Sequence, residues 1–524
     1  MKELIYHRGF VPAISRYKEQ VAVVDGDYQA TFAQHGDRVF RLAHALKHQL
    51  GLTKSDRFAV MAVNSHEYLE LYHAAFLGGG VINPLNLRLA GKELDYIVRD
   101  SGTEVVFVDQ FFAKAFDDAM KAGDESSSIR HVVFLGDGDG PCTDRYEDLL
   151  AKAQPEIPAE PEEDDPVVLM YTGGTTGLPK GVVCTQRAEM LNCYHVNMVL
   201  PGAFQPGEVN IIQTPIFHAA SMVGLLSTIA GGGKTVLIPM FDAAGVIELI
   251  DRHKVTISTM VPTMIGMMVN DPSFHPDKIK SIKNLIYGAS PMPSVLLDKL
   301  MEILPDLNIA QGYGMTESSS VVTFLTAADH KKGGPRLRSV GRPVMGVEVC
   351  IQDEDGTILP AGETGEVCAK GGNFMTEYWN KREQTEKSFK GGWYHTGDAG
   401  YLDDEGYLFL VDRVKDMIIT GGENVYSVEV ENAIANHPAV AQVAVIGIPH
   451  DTWGEAVHAV VVTNDGHTVV EEEIIAHARV SIAGYKVPKS VEFRAEPLPL
   501  SGAMKVLKKD LRAPYWEGKE KSIG

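Results

Sequence analysis

Between residues 53 and 166, short apolar runs alternate with longer segments whose apolar positions recur every three or four residues. The run Asp56-Arg-Phe-Ala-Val-Met-Ala-Val63 predicts a buried strand, Ser65 to Gly78 a helix, and Glu104-Val-Val-Phe-Val-Asp109 another strand. Strands and helices taken in turn predict doubly wound α/β sheets. The pattern breaks at residues 154–166, where four prolines stand among six acidic residues. Such a stretch is too polar to pack and reads as a linker. Val167 to Tyr171 then predicts a strand running into a Gly/Thr-rich loop, and strand–helix units continue to about Leu410. After Asp412 the pattern restarts: strand 417–420, helix 428–435, strands 440–448 and 456–463, and a helix near 470–480. The chain thus divides into a large α/β domain, 1–412, and a small α+β domain, 413–524, each of ordinary domain size or larger.

Charge narrows the partners. With 69 acidic and 48 basic side chains the net charge is −21, so the overall field repels nucleic acid and anionic lipid. Any phosphate must be held by local cations, backbone N–H groups or a metal. The five cysteines, Cys142, Cys184, Cys193, Cys350 and Cys368, form no C-x-x-C pair, which argues for a reducing compartment rather than disulfides or a zinc finger. The N-terminus is charged within three residues and lacks an apolar signal core. The longest apolar candidate, Met222 to Gly233, is too short to span a bilayer. A cytoplasmic protein without a transmembrane segment is expected.

Four segments carry chemistry. In Tyr171-Thr-Gly-Gly-Thr-Thr-Gly-Leu-Pro-Lys-Gly-Val182, a strand delivers flexible backbone, three threonine hydroxyls and Lys180 to one spot. Converging N–H groups, hydroxyls and a cation suit an anion. It is not a Walker A loop, because Lys180 follows Pro179 and no Ser or Thr follows it. A glycine-rich strand-to-helix turn explains the glycines but not the threonines with the lysine. In Gln311-Gly-Tyr-Gly-Met-Thr-Glu317, an aromatic between glycines can lie on a purine, and Thr316 and Glu317 suit a phosphate oxygen and Mg²⁺. In Tyr394-His-Thr-Gly-Asp398 a carboxylate beside a turn can accept ribose hydroxyls. Asp412-Arg-Val-Lys-Asp416 lies where one domain gives way to the next, and reads equally as a solvated linker.

In this order and spacing, the blocks resemble the adenylate-forming enzymes: acyl-CoA synthetases, aryl-CoA ligases, luciferases and peptide-synthetase adenylation domains. The resemblance extends to Pro215-Ile-Phe-His218 and to Leu498-Pro-Leu-Ser-Gly-Ala-Met-Lys505, and covers nearly the whole chain. It implies a multi-subdomain adenylation domain followed by a mobile lid. Thr172, Gly173, Gly174, Thr175, Thr176, Gly177 and Lys180 would hold the ATP β- and γ-phosphates. Gly288, Ala289 and Ser290, with Gln311, Gly312, Tyr313, Gly314 and Met315, would form the adenine site. Thr316 would meet the α-phosphate, Glu317 with Thr172 would hold Mg²⁺, and Asp398 and Arg413 would take the ribose. Lys505, Thr176, Glu317 and His218 would be catalytic, with Lys505 bridging carboxylate and α-phosphate, and Lys415 would be the hinge. Gly421, Gly422, Trp453 and Lys486 would meet CoA.

The implied reaction joins a carboxylic acid to CoA through an acyl-adenylate, using ATP and Mg²⁺. Amino-acid-activating relatives carry an Asp after the Phe of the middle block, whereas this chain has His218, which disfavours an amino acid. Met222, Met260, Met264, Met267 and Met268, with Gly312 and Gly314, suit an elongated apolar acid, so a medium- or long-chain fatty acid is the reading. An aryl-CoA ligase of the coumarate or benzoate kind is its rival, and a nucleotide-binding regulatory protein of the same fold a second. A homodimer and a peripheral membrane contact are compatible with it. Departures from the family pattern are Gly173 for Ser, Gln186 for His, Met504 for Gly, and Ser427 for Pro, where Ser is expected to cap the helix.

Overall fold

The computed structural model describes residues 2–89, 91–122, 128–138, 140–172, 178–290, 292–413, 417–420, 423–450, 452–464, 466–467, 469–502 and 506–517. The apolar runs become strands because both of their faces find cover. Arg57–Met61 is buried at every position after Arg57, and Val105–Val108 beside it at all positions. Together they lie in a sheet ordered Glu377–Tyr378, Lys180–Thr185, Pro166–Thr172, Val81–Pro84, Arg57–Met61, Val105–Val108, His131–Phe134 and Asp144–Arg145. A second large sheet runs Arg342–Pro343, Thr323–Leu325, Asn308–Tyr313, Asn284–Gly288, Ile257–Met260, Val209–Ile212, Lys234–Leu237, Val21–Asp25 and Tyr28–Thr31. From Asn308–Tyr313 through Val21–Asp25 its strands are parallel. Helices cover these sheets, as the alternating pattern predicts.

A smaller antiparallel sheet follows, ordered Val347–Gln352, Gly365–Gly371, Tyr394–Leu402 and Leu408–Arg413. The last sheet uses Glu423–Val425, Ile418–Thr420, Gly454–Thr463 and Val440–His450, with Ser490–Arg494 parallel to Gly454–Thr463. Its core includes Ile418, Val430, Ile434, Val445, Val457, Val461 and Ile474. Among the described residues no helix is long and apolar enough to cross a membrane. The apolar stretch after Met222 is the buried helix Ala219–Gly231.

Three expectations need correction. The helix predicted over 65–78 is an α-helix only over His66–Ala74 and then widens to a π turn at Ala75–Gly79. Residues 154–166 are not a free linker. His7 Nε2 pairs with Pro158 O at 3.1 Å, Arg8 meets Glu160 at 2.7 Å, and Glu163 accepts from the Glu3 and Leu4 N–H groups, while Pro161 is buried. Acidic residues there pair with the N-terminal segment, a partner the local composition does not disclose. Ser427 does not cap its helix. It is the first helical residue, fully buried, and accepts from Lys508 Nζ at 2.6 Å, so the C-terminal helix Lys508–Trp516 is fastened to Ser427–Ala435.

Candidate active site

In open α/β sheets ligands gather beyond the carboxyl ends of parallel strands. Asn284–Gly288 and Asn308–Tyr313 are parallel neighbours, and both end in glycine-containing segments. The two strands approach too closely for a side chain at Gly288, where a Cβ would stand 2.4 Å from Gly312 O; just past the second strand, a Cβ on Gly314 would stand 2.0 Å from Ser320 O in the following turn. Ala289 has φ +66°, a strained value for a non-glycine residue. Tyr287 fixes the same corner, its hydroxyl lying 3.1 Å from both Gln311 Oε1 and His330 Nε2. Gln311 is therefore held as an acceptor.

Tyr313 is almost buried, and its hydroxyl donates to Asp398 Oδ2 at 2.7 Å. Asp398 pairs across the strands with Arg413, so the carboxylate and the Arg413 backbone share one rung of the small sheet. The turn after Tyr313 carries Thr316–Ser318 as a 3₁₀ helix, with Ser319 and Ser320 at φ +52° and +130°. Such a turn persists only where its surroundings hold it. Asn192 Nδ2 and Asn373 Nδ2 both donate to Ser318 O at 3.1 Å, and Asn192 Oδ1 accepts from Val321 N. Beneath them Glu189 is buried beside Cys184 and Ser319, and burial pushes its carboxyl up to about 8.

This turn places Glu317. Its Oε1 accepts from Tyr378 OH at 2.7 Å, and Lys180 Nζ lies 4.6 Å from the centre of the same tyrosine ring. Burial first, then the Glu317 charge, raises the Tyr378 hydroxyl above its ordinary range, so it stays a donor. The ring thus joins Lys180, at the end of the Gly/Thr loop, to the carboxylate. Thr172 and Lys180 are cross-strand partners, so that loop closes a hairpin between Pro166–Thr172 and Lys180–Thr185. It is not the strand-to-helix turn weighed from sequence. Gly173, Gly174, Thr175, Thr176 and Gly177 lie outside the described residues.

His218 precedes the helix Ala219–Gly231, and its Nδ1 accepts from Ala220 N at 3.2 Å, which leaves the proton of the neutral ring on Nε2. Phe217 beside it meets the C-terminal segment. A Cβ on Gly502 would lie 3.1 Å from Phe217 Cζ and 2.5 Å from Asn86 Oδ1, and Arg88 donates to Leu500 O. The strand bridge between Leu500 and Val506 brackets the stretch that carries Lys505, which itself lies outside the described residues, as do Lys415, Gly421 and Gly422. Met222, Met260, Met264 and Met268 are buried in core clusters and Met267 is exposed, so the methionines serve packing first.

Trp453 is 39% exposed and stacks on His450 at 4.2 Å. The cation over it is Lys489, at 5.3 Å, a residue the sequence reading missed. Lys486 instead forms a two-pronged pair with Glu429, at 2.7 and 2.8 Å. The alternation Lys-Val-Pro-Lys offered both cations, and only the strand register at Ser490–Arg494 tells them apart.

Comparison with known proteins identifies the family. The family model described as "AMP-binding enzyme" matches residues 10–379, and "AMP-binding enzyme C-terminal domain" matches 429–505. A fatty acid–[acyl-carrier-protein] ligase, ScoC, of Streptomyces coeruleorubidus is 34% identical over 91% of this chain and 90% of its own. A feruloyl-CoA synthase of an Amycolatopsis species is 36% identical over 94% of this chain and 96% of its own. Among solved structures, a Mycobacterium tuberculosis fatty acyl CoA synthetase superposes with a TM-score of 0.75 at 32% identity, covering 99% of both chains. The chain belongs to the AMP-binding enzyme family and is an ATP-dependent, adenylate-forming acid–thiol ligase.

Proposed function

We propose that the protein converts a medium- or long-chain fatty acid, ATP and CoA into acyl-CoA, AMP and pyrophosphate. The observation that supports this reading is the chain of contacts Lys180–Tyr378–Glu317 beside Tyr313–Asp398, which joins the residues read here as phosphate, metal and ribose ligands. A carboxylate is a weak nucleophile and its thioester lies uphill, so the acid must first attack the α-phosphate. Both reactants are anions, and positioning with charge neutralisation does most of the work.

In this reading Gly288, Ala289, Ser290 and the Gln311–Met315 backbone take the adenine, and Tyr313 holds Asp398 toward the ribose with Arg413. Residues 172–177 and Lys180 take the β- and γ-phosphates. The hydroxyl of Thr172 and the carboxylate of Glu317 are hard oxygen donors, the kind Mg²⁺ takes. Bound there, Mg²⁺ would neutralise phosphate charge during adenylation. Lys505 bridges the reacting carboxylate and α-phosphate, with Thr176 on the phosphate, and the Gly502–Phe217 contact supports that approach. His218 lines the acyl entrance. The lid, 413–524, then turns about Lys415 so that Gly421, Gly422 and Trp453 meet CoA; Lys489 joins them, and Lys486 is reached only by opening its pair with Glu429.

The similarity to a feruloyl-CoA synthase keeps an aryl acid as the second reading, and the similarity to ScoC does the same for a carrier-protein thiol. Buried, unpaired cysteines support a cytoplasmic location. A homodimer and a peripheral membrane contact belong to the same proposal and are read by solution mass and vesicle co-sedimentation. The test of substrate is a mass-resolved product assay with ATP, Mg²⁺ and a panel of short to long fatty acids, benzoate and cinnamates, with and without CoA. A fatty acyl-CoA product is expected. An aroyl-CoA as best product transfers the reading to the aryl class, and an adenylate that accumulates despite CoA overturns CoA as acceptor.

A further inference from the structure

Three strands of the small antiparallel sheet set a row of soft ligands next to the ribose carboxylate. Cys368 faces His395 across one strand pair and Cys350 across the other, so the three side chains share a face. Glu366, two residues before Cys368, adds a carboxylate on that face. The ligand atoms of Glu366, Cys368 and His395 lie within 4.8 Å of one another. Cys368 Sγ is 3.5 Å from His395 Nδ1, and His395 Nδ1 is 2.8 Å from Glu366 Oε2. Cys368 is fully buried, and the outer nitrogen of His395, Nε2, is buried without a partner.

We propose that Glu366, Cys368 and His395 bind a thiophilic divalent cation of the zinc class, and that the bound cation inhibits the enzyme. Thiolate, imidazole and carboxylate are the ligand types Zn²⁺ selects, and three of them leave one position for water. Tetrahedral Zn–S and Zn–N bonds place sulfur and nitrogen about 3.5 Å apart, which is the spacing already present between Cys368 and His395. Nitrogen and carboxylate oxygen would need about 3.4 Å, so Glu366 must withdraw by roughly half an ångström from its present contact. Binding replaces the Cys368 S–H proton, which passes to solvent, and the single ring proton of His395 moves from Nδ1 to Nε2, so the metal takes a neutral imidazole at Nδ1.

The cost falls on the nucleotide site. Glu366 Oε1 accepts from Gly397 N at 3.1 Å, and Gly397 precedes Asp398. Thr396 Oγ1 donates to Val367 O, so the strand cannot slide to follow the carboxylate. A cation that draws Glu366 away frees the Gly397 amide and shifts Asp398 relative to Tyr313. Cation binding itself does not depend on the ribose assignment. The effect on ATP does.

The test is a titration of the full-length, metal-free protein with Co²⁺, then Zn²⁺. It uses a Cys142→Ser background, because Cys142 is the exposed cysteine. Thiolate-to-cobalt charge-transfer absorption is expected at one equivalent, with displacement by Zn²⁺. Cys368→Ala should lose the band and at least ~100-fold in metal affinity, since even outer-shell changes cost 10–100-fold. Zn²⁺ should raise the KM for ATP in the background protein but not in Cys368→Ala. If Cys368→Ala misfolds, Cys368→Ser serves with the same expectation. Absence of the band, or its persistence without Cys368, overturns the site. A band without any change in ATP dependence overturns the inhibition and leaves only a binding site.

Discussion

Glu189 tests how the active-site turn is supported. Its carboxyl is buried, with Oε2 unpartnered, and stays protonated up to about pH 8, whereas the unfolded chain releases that proton near its ordinary value of 4.5. Folding therefore takes up a proton between those values. The stability Glu189 contributes is fully present below about 4.5, falls as pH rises, and is gone above about 8. At about 1.4 kcal/mol per unit of separation, the loss is on the order of 5 kcal/mol. Glu189→Gln keeps the shape and stays neutral, so it removes this slope. With ~2.1 cal/mol/K of unfolding entropy per residue over the matched segment 10–379, 1 kcal/mol is worth a little over ~1 °C. The melting temperature of Glu189→Gln, measured against wild type, should gain roughly 5 °C between about pH 5 and pH 8. Other titrating groups cancel in that difference. A gap that is constant across this range would refute a protonated Glu189 beneath the Ser319 turn.

Further substitutions probe the rest of the site. Tyr378→Phe removes a hydrogen bond to the Glu317 carboxylate, an interaction of ~1.5–3 kcal/mol, so if Glu317 holds Mg²⁺ as proposed, the Mg²⁺ needed for half-maximal rate should rise about tenfold or more; an unchanged Mg²⁺ curve would overturn that role. Gly288→Ala sets a Cβ against Gly312 O and should abolish ATP binding measured by calorimetry, while far-ultraviolet circular dichroism reports whether the fold survives. Trp453→Ala and Lys489→Ala should raise the KM for CoA and leave adenylation untouched, and equal losses in both steps would contradict their placement on the acceptor side.

Much of this site can be read in the sequence because its chemistry is local. The Thr172–Lys180, Gln311–Glu317 and Tyr394–Asp398 segments each hold their candidate groups within a few residues, and the contacts Lys180–Tyr378–Glu317 and Tyr313–Asp398 join one residue or more of each. What escaped depends on register and burial. Tyr378 lies in a short edge strand with no motif around it, and its role appears only when Glu377–Tyr378 pairs with Lys180–Thr185. Glu189 looks like one more polar residue on a helix, and only tertiary cover on every side makes it a buried acid. Lys486 and Lys489 differ by three positions, and pairing with Glu429 diverts the first. The Glu160 and Glu163 contacts show the same limit, because an acidic run reveals its charge but not its partner.

The most direct test of the central claim is exchange of labelled pyrophosphate into ATP with CoA omitted. An adenylate-forming ligase with this site should exchange label only when its carboxylic acid substrate and Mg²⁺ are present. Lys505→Ala should lose the exchange yet still make acyl-CoA from supplied acyl-adenylate. Exchange that needs CoA, or that proceeds without the acid, would contradict activation through an acyl-adenylate.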